Sequence, residues 1–283
     1  VLPPPFDAPL DALVYQVDLS HELGEVIQLL LRVGTLLACS GAAAFRVREA
    51  MQRTAVSLGV KRSEFVVNID AITASIFHRG EFRTQVARLP PVGVDMSLLC
   101  RLELLTRALL SEAGSHTPSQ VHEKLDGLQK SPRLYPRWVT VPCLGAACAA
   151  FCAAGHGTWS QMLCAFVGAS LGHTVRLQLL ARRIPLVSIV IVCAFVSCAT
   201  AELAAWPLSS FVPAAELSHA KSGIGILASV LYLIPGVPLV TSLIDLVHLD
   251  LNAGLSRAVY AAVLVASIAV GMFCYFAVSG FLP

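Results

Sequence analysis

The stretch LYLIPGVPLVTSLIDLVHLDLNAGLSRA, residues 231–258, brings together the side chains best suited to chemistry in this 283-residue chain. Pro235 and Pro238 bracket Gly236 inside an apolar run. Each proline removes a backbone donor and clashes with the preceding turn, so a helix there is broken or sharply kinked. Broken helices in a bilayer turn half-helix N-termini, with their partial positive charge, toward anionic groups of a transported solute. Pro235, Gly236, Val237 and Pro238, with the polar Thr241 and Asn252 beyond them, are therefore the candidate substrate-contacting residues; a plain proline kink is the competing reading. Asp245 follows at a depth where an ionisable group is costly unless it faces a cavity or a partner, which makes it the first candidate for proton coupling or gating. His173, between Gly172 and Thr174 in an earlier apolar stretch, is the second, against the reading of a packed neutral histidine. Asp250 and Arg257 fit snorkelling charges at a span's cytoplasmic end.

Other chemistries have little support. The sequence contains no GxSxG, P-loop, dinucleotide fingerprint or HExxH. Nine cysteines, seven of them after residue 138 and none in paired CxxC units, argue against a zinc site or a disulfide framework. Cys148 and Cys152 share a helix face and read as packing residues. His21, His78, His116 and His122 are scattered, so neither a metal nor a cofactor is expected. The net charge is +2 and basic residues are interleaved with acidic ones, which leaves no basic stripe for nucleic acid.

The elements that position these residues divide by composition. Hydrophobic residues make up 56% of the chain, charged residues 13%, and mean hydropathy is +0.72, values that point away from a soluble enzyme. Residues 1–137 hold 15 Lys+Arg and 14 Asp+Glu, whereas residues 138–283 hold only 5 and 4. A Pro-rich leader, residues 1–22, does not read as a signal peptide. Residues 23–130 then form a small α+β domain. A helix carrying Leu23, Ile27, Leu30 and Leu37 ends near Ser40-Gly41, and a second runs from Phe45 to a C-cap at Gly59. EFVVNID, ITASIFHRG and FRTQVARL form a strand meander with a turn at His78-Arg79-Gly80-Glu81. Further helices run from Ser97 to about Ala113 and from Pro118 to about Gln129, the last capped by Thr117.

The linker, residues 131–137, leads into a membrane domain at 138–283. Five apolar stretches are expected to span: about 138–154, 159–179, 184–205, 223–247 and 255–281, each near the roughly 20 residues a bilayer core requires. Arg133, Arg137, Arg176, Arg182, Arg183 and Arg257 fall on one side and Lys221 on the other, which places the N-terminal domain in the cytoplasm. Glu202, and Glu216 and His219 with Lys221, read as surface groups of the outer side. The expected protein is an α-helical integral membrane protein of about five transmembrane helices, one broken at PGVP, with an N-terminal cytoplasmic α+β domain.

From about residue 23 to the end the sequence resembles the threonine/serine exporter (ThrE) family, and within it the split form whose YjjP-type subunit works with a small YjjB-type membrane partner. The matching segments are LLLRVGTLLACSGAAAFRVREAMQRTAVSLGV, LYPRW (Leu134 to Trp138), IPGVPLV (Ile234 to Val240), Asp245 and the GLSRA run from Gly254. The resemblance marks Gly41, Arg46 and Glu49 as motif positions of the cytoplasmic domain. Thr241, where relatives often carry Asn, and Ile244, sometimes Arg, depart from the pattern in the stretch assigned to substrate. The resemblance implies a multi-pass subunit of an inner-membrane exporter of small carboxylates: succinate and related dicarboxylates for the split form, threonine and serine for the fused one. The chain lacks the second membrane module of the fused exporters, so a separate small YjjB-type subunit is the implied partner, with the bilayer as surroundings and self-association left open. A membrane-tethered sensor or scaffold is the reading from a different class.

Overall fold

The computed structural model describes residues 21–60, 62–78, 81–90, 93–112, 116–130, 135–182, 184–208 and 224–280. The leader through Ser20, the turn at Arg79-Gly80, the linker residues Ser131 to Leu134, Arg183, and the segment holding Glu216, His219 and Lys221 lie outside these. The chain divides into two compact units, Val1–Pro132 with Gly236–Val259 and Arg133–Pro235 with Tyr260–Pro283. The boundary is thus not a single cut at the linker: the residues after the PGVP break pack with the N-terminal ones.

The first unit is built around α1 (His21–Cys39). Its Ile27, Leu29, Leu30, Leu31 and Val33 are fully or almost fully buried, because neighbours cover more than one of its faces. These are α2 (Ala44–Ser57), α3 (Met96–Ser111), α4 (Pro118–Gln129) and an antiparallel meander of β1 (Arg62–Val67), β2 (Ala71–His78) and β3 (Glu81–Arg88). The register sets Phe65 against Ala74 and Ile72 against Ala87. Alternation then sends Phe65, Val67, Ile72, Ala74, Ile76 and Ala87 into the core. The opposite face keeps Val66, Phe77, Phe82 and Val86 exposed. Local chemistry sets the ends: Asp95 accepts from Leu98 N at 2.9 Å, and Thr117 forms a capping box with Gln120 and precedes Pro118. Gly59, at φ +75°, follows α2, with its N–H bonded to Val56 O and that of Val60 to Ala55 O. α9 (Gly236–Val247) and the start of α10 (Leu251–Ser279) complete this unit, and Ala253 joins its core.

The second unit is a helix bundle centred on α6 (Trp159–Ala181), which packs on α5 (Arg137–Ala154), α7 (Leu186–Leu208) and α8 (Ile224–Ser229). A 3-10 turn (Leu231–Leu233) and the later residues of α10 complete it. Its interior holds Ile189, Val190, Cys193, Ala194, Cys198, Leu264 and Ile268. Cys148 and Cys152 are buried free thiols.

Among the described residues, three helices are long and apolar enough to cross a membrane: Trp159–Ala181, Leu186–Trp206 and Leu251–Ser279. The bent pair Ile224–Leu233 and Gly236–Val247 makes a fourth if it crosses as one span. Trp138–Ala154, the first expected span, is apolar but shorter, so the number supported by length is three to four, against the five expected.

Candidate functional site

α2 starts without a cap of its own. Its N-cap residue is Ala43, whose side chain has no acceptor, so the first helical N–H groups need one from elsewhere. Asp245 supplies it: its Oδ1 accepts from Ala44 N at 2.8 Å. Its Oδ2 accepts from Arg257 Nη1 at 2.7 Å. Asp245 is completely buried and Arg257 is 6% exposed. The carboxylate thus faces both the positive end of a helix and a guanidinium, which offsets the cost of burying a charge. Arg257, read from sequence as a snorkelling end charge, is the buried partner of Asp245.

The same elements carry a second ionic contact. Asp250 takes a two-pronged bond from the Arg48 guanidinium, the Nη2–Oδ2 arm at 2.7 Å. Between the two ion pairs the His248 ring stacks on Phe45, with centroids 4.1 Å apart and planes within 5°. Ser242 Oγ donates to Gly254 O at 3.0 Å and ties α9 to the first turn of α10. A backbone bond from Asp250 N to Asp245 O, with Leu249 at φ 62°, makes the tight corner between them. Asp245, Asp250, Arg48 and Arg257 therefore form one charged cluster on α2, α9, the corner and α10.

The other candidate residues are placed as follows. The helix ends at the 3-10 turn, Ile234 is extended, and α9 begins at Gly236, so the backbone is broken at Pro235 as the prolines dictate. Pro235 is buried, Val237 and Pro238 partly so, and Gly236 exposed with open space beside it. Thr241 Oγ1 bonds back to Val237 O at 2.9 Å within its own helix. Asn252 is exposed on the first turn of α10. Gly41, at φ +96°, adopts a backbone that L side chains avoid, and lies against Val237 Cγ1 and the carbonyl of Gly93. Arg46 is exposed, its guanidinium 5.8 Å from the Phe45 ring centroid. Glu49 is exposed and stands 3.8 Å from Arg53, which also meets Glu103 at 3.0 Å.

His173 belongs to the second unit and forms part of a different constellation. Its ring meets Tyr232 edge-on at 5.8 Å, and the Tyr232 hydroxyl lies 3.1 Å from Ser197 Oγ. Close approach of the helices there depends on Gly172: a methyl at that position would stand 1.9 Å from Ser197 Oγ and 2.4 Å from the Tyr232 hydroxyl.

Comparison with known proteins gives this geometry a context. The model of the ThrE threonine/serine exporter family matches residues 28–279. The chain belongs to the ThrE family. Two relatives carry the name "Probable succinate transporter subunit YjjP". That of Escherichia coli K12 is 27% identical over 249 residues, 87% of this chain and 92% of its own. That of Klebsiella aerogenes is 26% identical over 259 residues, 91% of this chain and 95% of its own. No solved structure matches the chain.

Two partners in this ThrE chain were missed from sequence, Arg48 and the Ala44 N–H. The available signal was the start of α2: a helix opening at Ala-Ala-Ala-Phe has no Ser, Thr, Asp or Asn to cap it, which calls for an acid from another segment. Nothing in the spacing shows that Asp245 is that acid. Two of the scattered histidines have polar neighbours: His116 stands 3.0 Å from Glu112 and His122 Nδ1 lies 3.0 Å from Arg32.

Proposed function

We propose that this ThrE-family membrane protein is a subunit of a secondary exporter of small carboxylates, succinate and related dicarboxylates foremost, acting with a small YjjB-type membrane subunit in the inner membrane. The N-terminal domain, residues 23–130, lies on the cytoplasmic side in this reading, and α5 serves as the fifth span. The names of the two relatives support the substrate and the word subunit supports a partner. The observation that carries the reading is the buried Asp245–Arg257 pair beyond a helix break, with Asp245 docked on the N-terminus of α2.

In this proposal the break at Pro235, Gly236, Val237 and Pro238 is the moving part of the substrate path, with Thr241 and Asn252 on the same segment. Asp245 is the gating or proton-coupled group: protonation removes its charge, weakens both of its contacts and frees α9 from α2. His173 is the second candidate for carrying a proton. No catalytic role, metal or cofactor is assigned to any residue.

The test is efflux of labelled succinate and labelled threonine from preloaded vesicles holding this chain alone or with its partner subunit. Succinate efflux that needs both proteins and is abolished by an uncoupler is the expected result. Threonine efflux would keep an exporter and replace its substrate. No efflux of either from folded protein would favour a membrane-tethered sensor, in which Pro235, Gly236 and Asp245 are dispensable for activity.

A further inference from the structure

Among the described residues of the second unit, one cation has no acid ion-paired with it. Arg176 lies on α6 one turn beyond Gly172 and is partly buried. Its Nε and the Nδ1 of His173 are buried without hydrogen-bond partners. Among the described residues no Asp or Glu forms an ion pair with Arg176. The acids in the sequence of this unit are Glu202 and Glu216. Glu202 stands about two and a half turns beyond Cys193 on α7, and Glu216 is outside the described residues.

Arg176 belongs to a set of donors: His173 stands three positions before it on α6 and so shares its helix face, and the His173 ring in turn meets Tyr232 of the 3-10 turn. Tyr232 is held by Ser197 and by the edge-on ring contact with His173, so its hydroxyl is fixed in place. A guanidinium within an apolar bundle is costly unless paired, and the fork of an arginine matches a carboxylate with two parallel bonds. An imidazole N–H and a phenol O–H add donors to the same ligand. A cationic or uncharged solute would leave the guanidinium uncompensated, whereas a carboxylate accepts from every member of the set.

We propose that Arg176, with His173 and Tyr232, is a carboxylate-binding site in the helix bundle, with one carboxylate of the solute on the Arg176 guanidinium and hydrogen bonds from His173 and Tyr232. The site rests on the exporter reading and names its substrate contact. It moves the principal charge recognition from the PGVP segment to the α6, α7 and α10 bundle.

The test is equilibrium binding of labelled succinate and labelled threonine to the full chain in lipid nanodiscs, with efflux measured in parallel. Arg176→Gln is expected to weaken carboxylate binding about tenfold or more, Arg176→Lys by less, and the dimethyl ester of succinate is expected not to compete. A folded Arg176→Gln protein that binds and exports as the wild type does overturns the site while the exporter reading stands. Arg176-dependent binding without efflux, with or without the partner subunit, upholds the site and overturns the exporter reading. A wild-type chain that binds neither carboxylate overturns the site. If Arg176→Gln does not fold, labelling of Arg176 in the wild-type chain by phenylglyoxal decides the matter: succinate must protect it and the dimethyl ester must not, and labelling indifferent to succinate overturns the proposal.

Discussion

The carboxylate of Asp245 receives the backbone N–H of Ala44 at 2.8 Å, a contact between residues 201 positions apart in sequence. It joins the uncapped end of α2 to the helix that follows the PGVP break, and the Arg257 guanidinium balances its charge at 2.7 Å. Removing one partner of such a pair leaves the other as an unpaired buried charge, a loss of about 3–5 kcal/mol. Asp245→Ala and Arg257→Ala are each expected to lower stability by that order in thermal melts of the purified protein. The double variant should lose clearly less than the two losses added together. Strict additivity would show that the two side chains do not act as a pair.

Arg48 and Asp250 form an ion pair of a different kind. The Arg48 side chain is 37% exposed, so water screens the contact and its contribution is expected to be at most about 1 kcal/mol. Arg48→Ala should produce a small loss that shrinks further in high salt, and the exchange of charges in Arg48→Asp with Asp250→Arg should recover most of it. A loss comparable to that of Asp245→Ala, insensitive to salt, would refute the screened-contact reading.

How far these contacts were legible in the sequence follows from what each depends on. Periodicity and caps are local, so the ends of α1, α2 and α4, the order of the three strands and the break at Pro235 could be read directly. The depth of Asp245 marked it as a residue in need of a partner, but partner choice depends on tertiary packing. Arg257 and Asp250 therefore looked like end charges, although one is buried and the other bonded to Arg48. Arg176 was counted only as a flanking positive charge. That His173, on the same face of α6, meets Tyr232 depends on how α6 and the 3-10 turn pack, which no local pattern specifies.

The acid sensitivity of the contact between α1 and α4 has a defined sign. The hydrogen bond and charge of Arg32 hold the Asp126 carboxyl below its ordinary value, the nearby Lys130 and His122 adding to the effect. A carboxyl with a depressed folded-state pKa contributes stability above its unfolded value, about 3.9, and loses it as pH falls through the folded value. Asp126→Asn should therefore melt below the wild type near neutral pH, and the gap should close as pH falls below about 4. A gap independent of pH would assign the loss to something other than this ion pair.

Two glycines in helices should respond to alanine with opposite signs, because one is crowded and the other is not. At Gly127 of α4 an added methyl meets nothing within 4 Å. Gly127→Ala removes backbone freedom from the unfolded chain and should raise stability by about 0.5–1 kcal/mol. At Gly172 the methyl would fall 1.9 Å from Ser197 Oγ and 2.4 Å from the Tyr232 hydroxyl. Gly172→Ala must displace one of them, with an expected loss of about 1–3 kcal/mol, and carboxylate binding should weaken with it because Tyr232 moves relative to His173 and Arg176. Combining Gly172→Ala with Ser197→Gly removes the nearest clash and should recover part of the stability. Recovery of stability with binding still impaired would identify the position of Tyr232 as the feature that binding requires, whereas an unchanged affinity in Gly172→Ala itself would remove Tyr232 from the site.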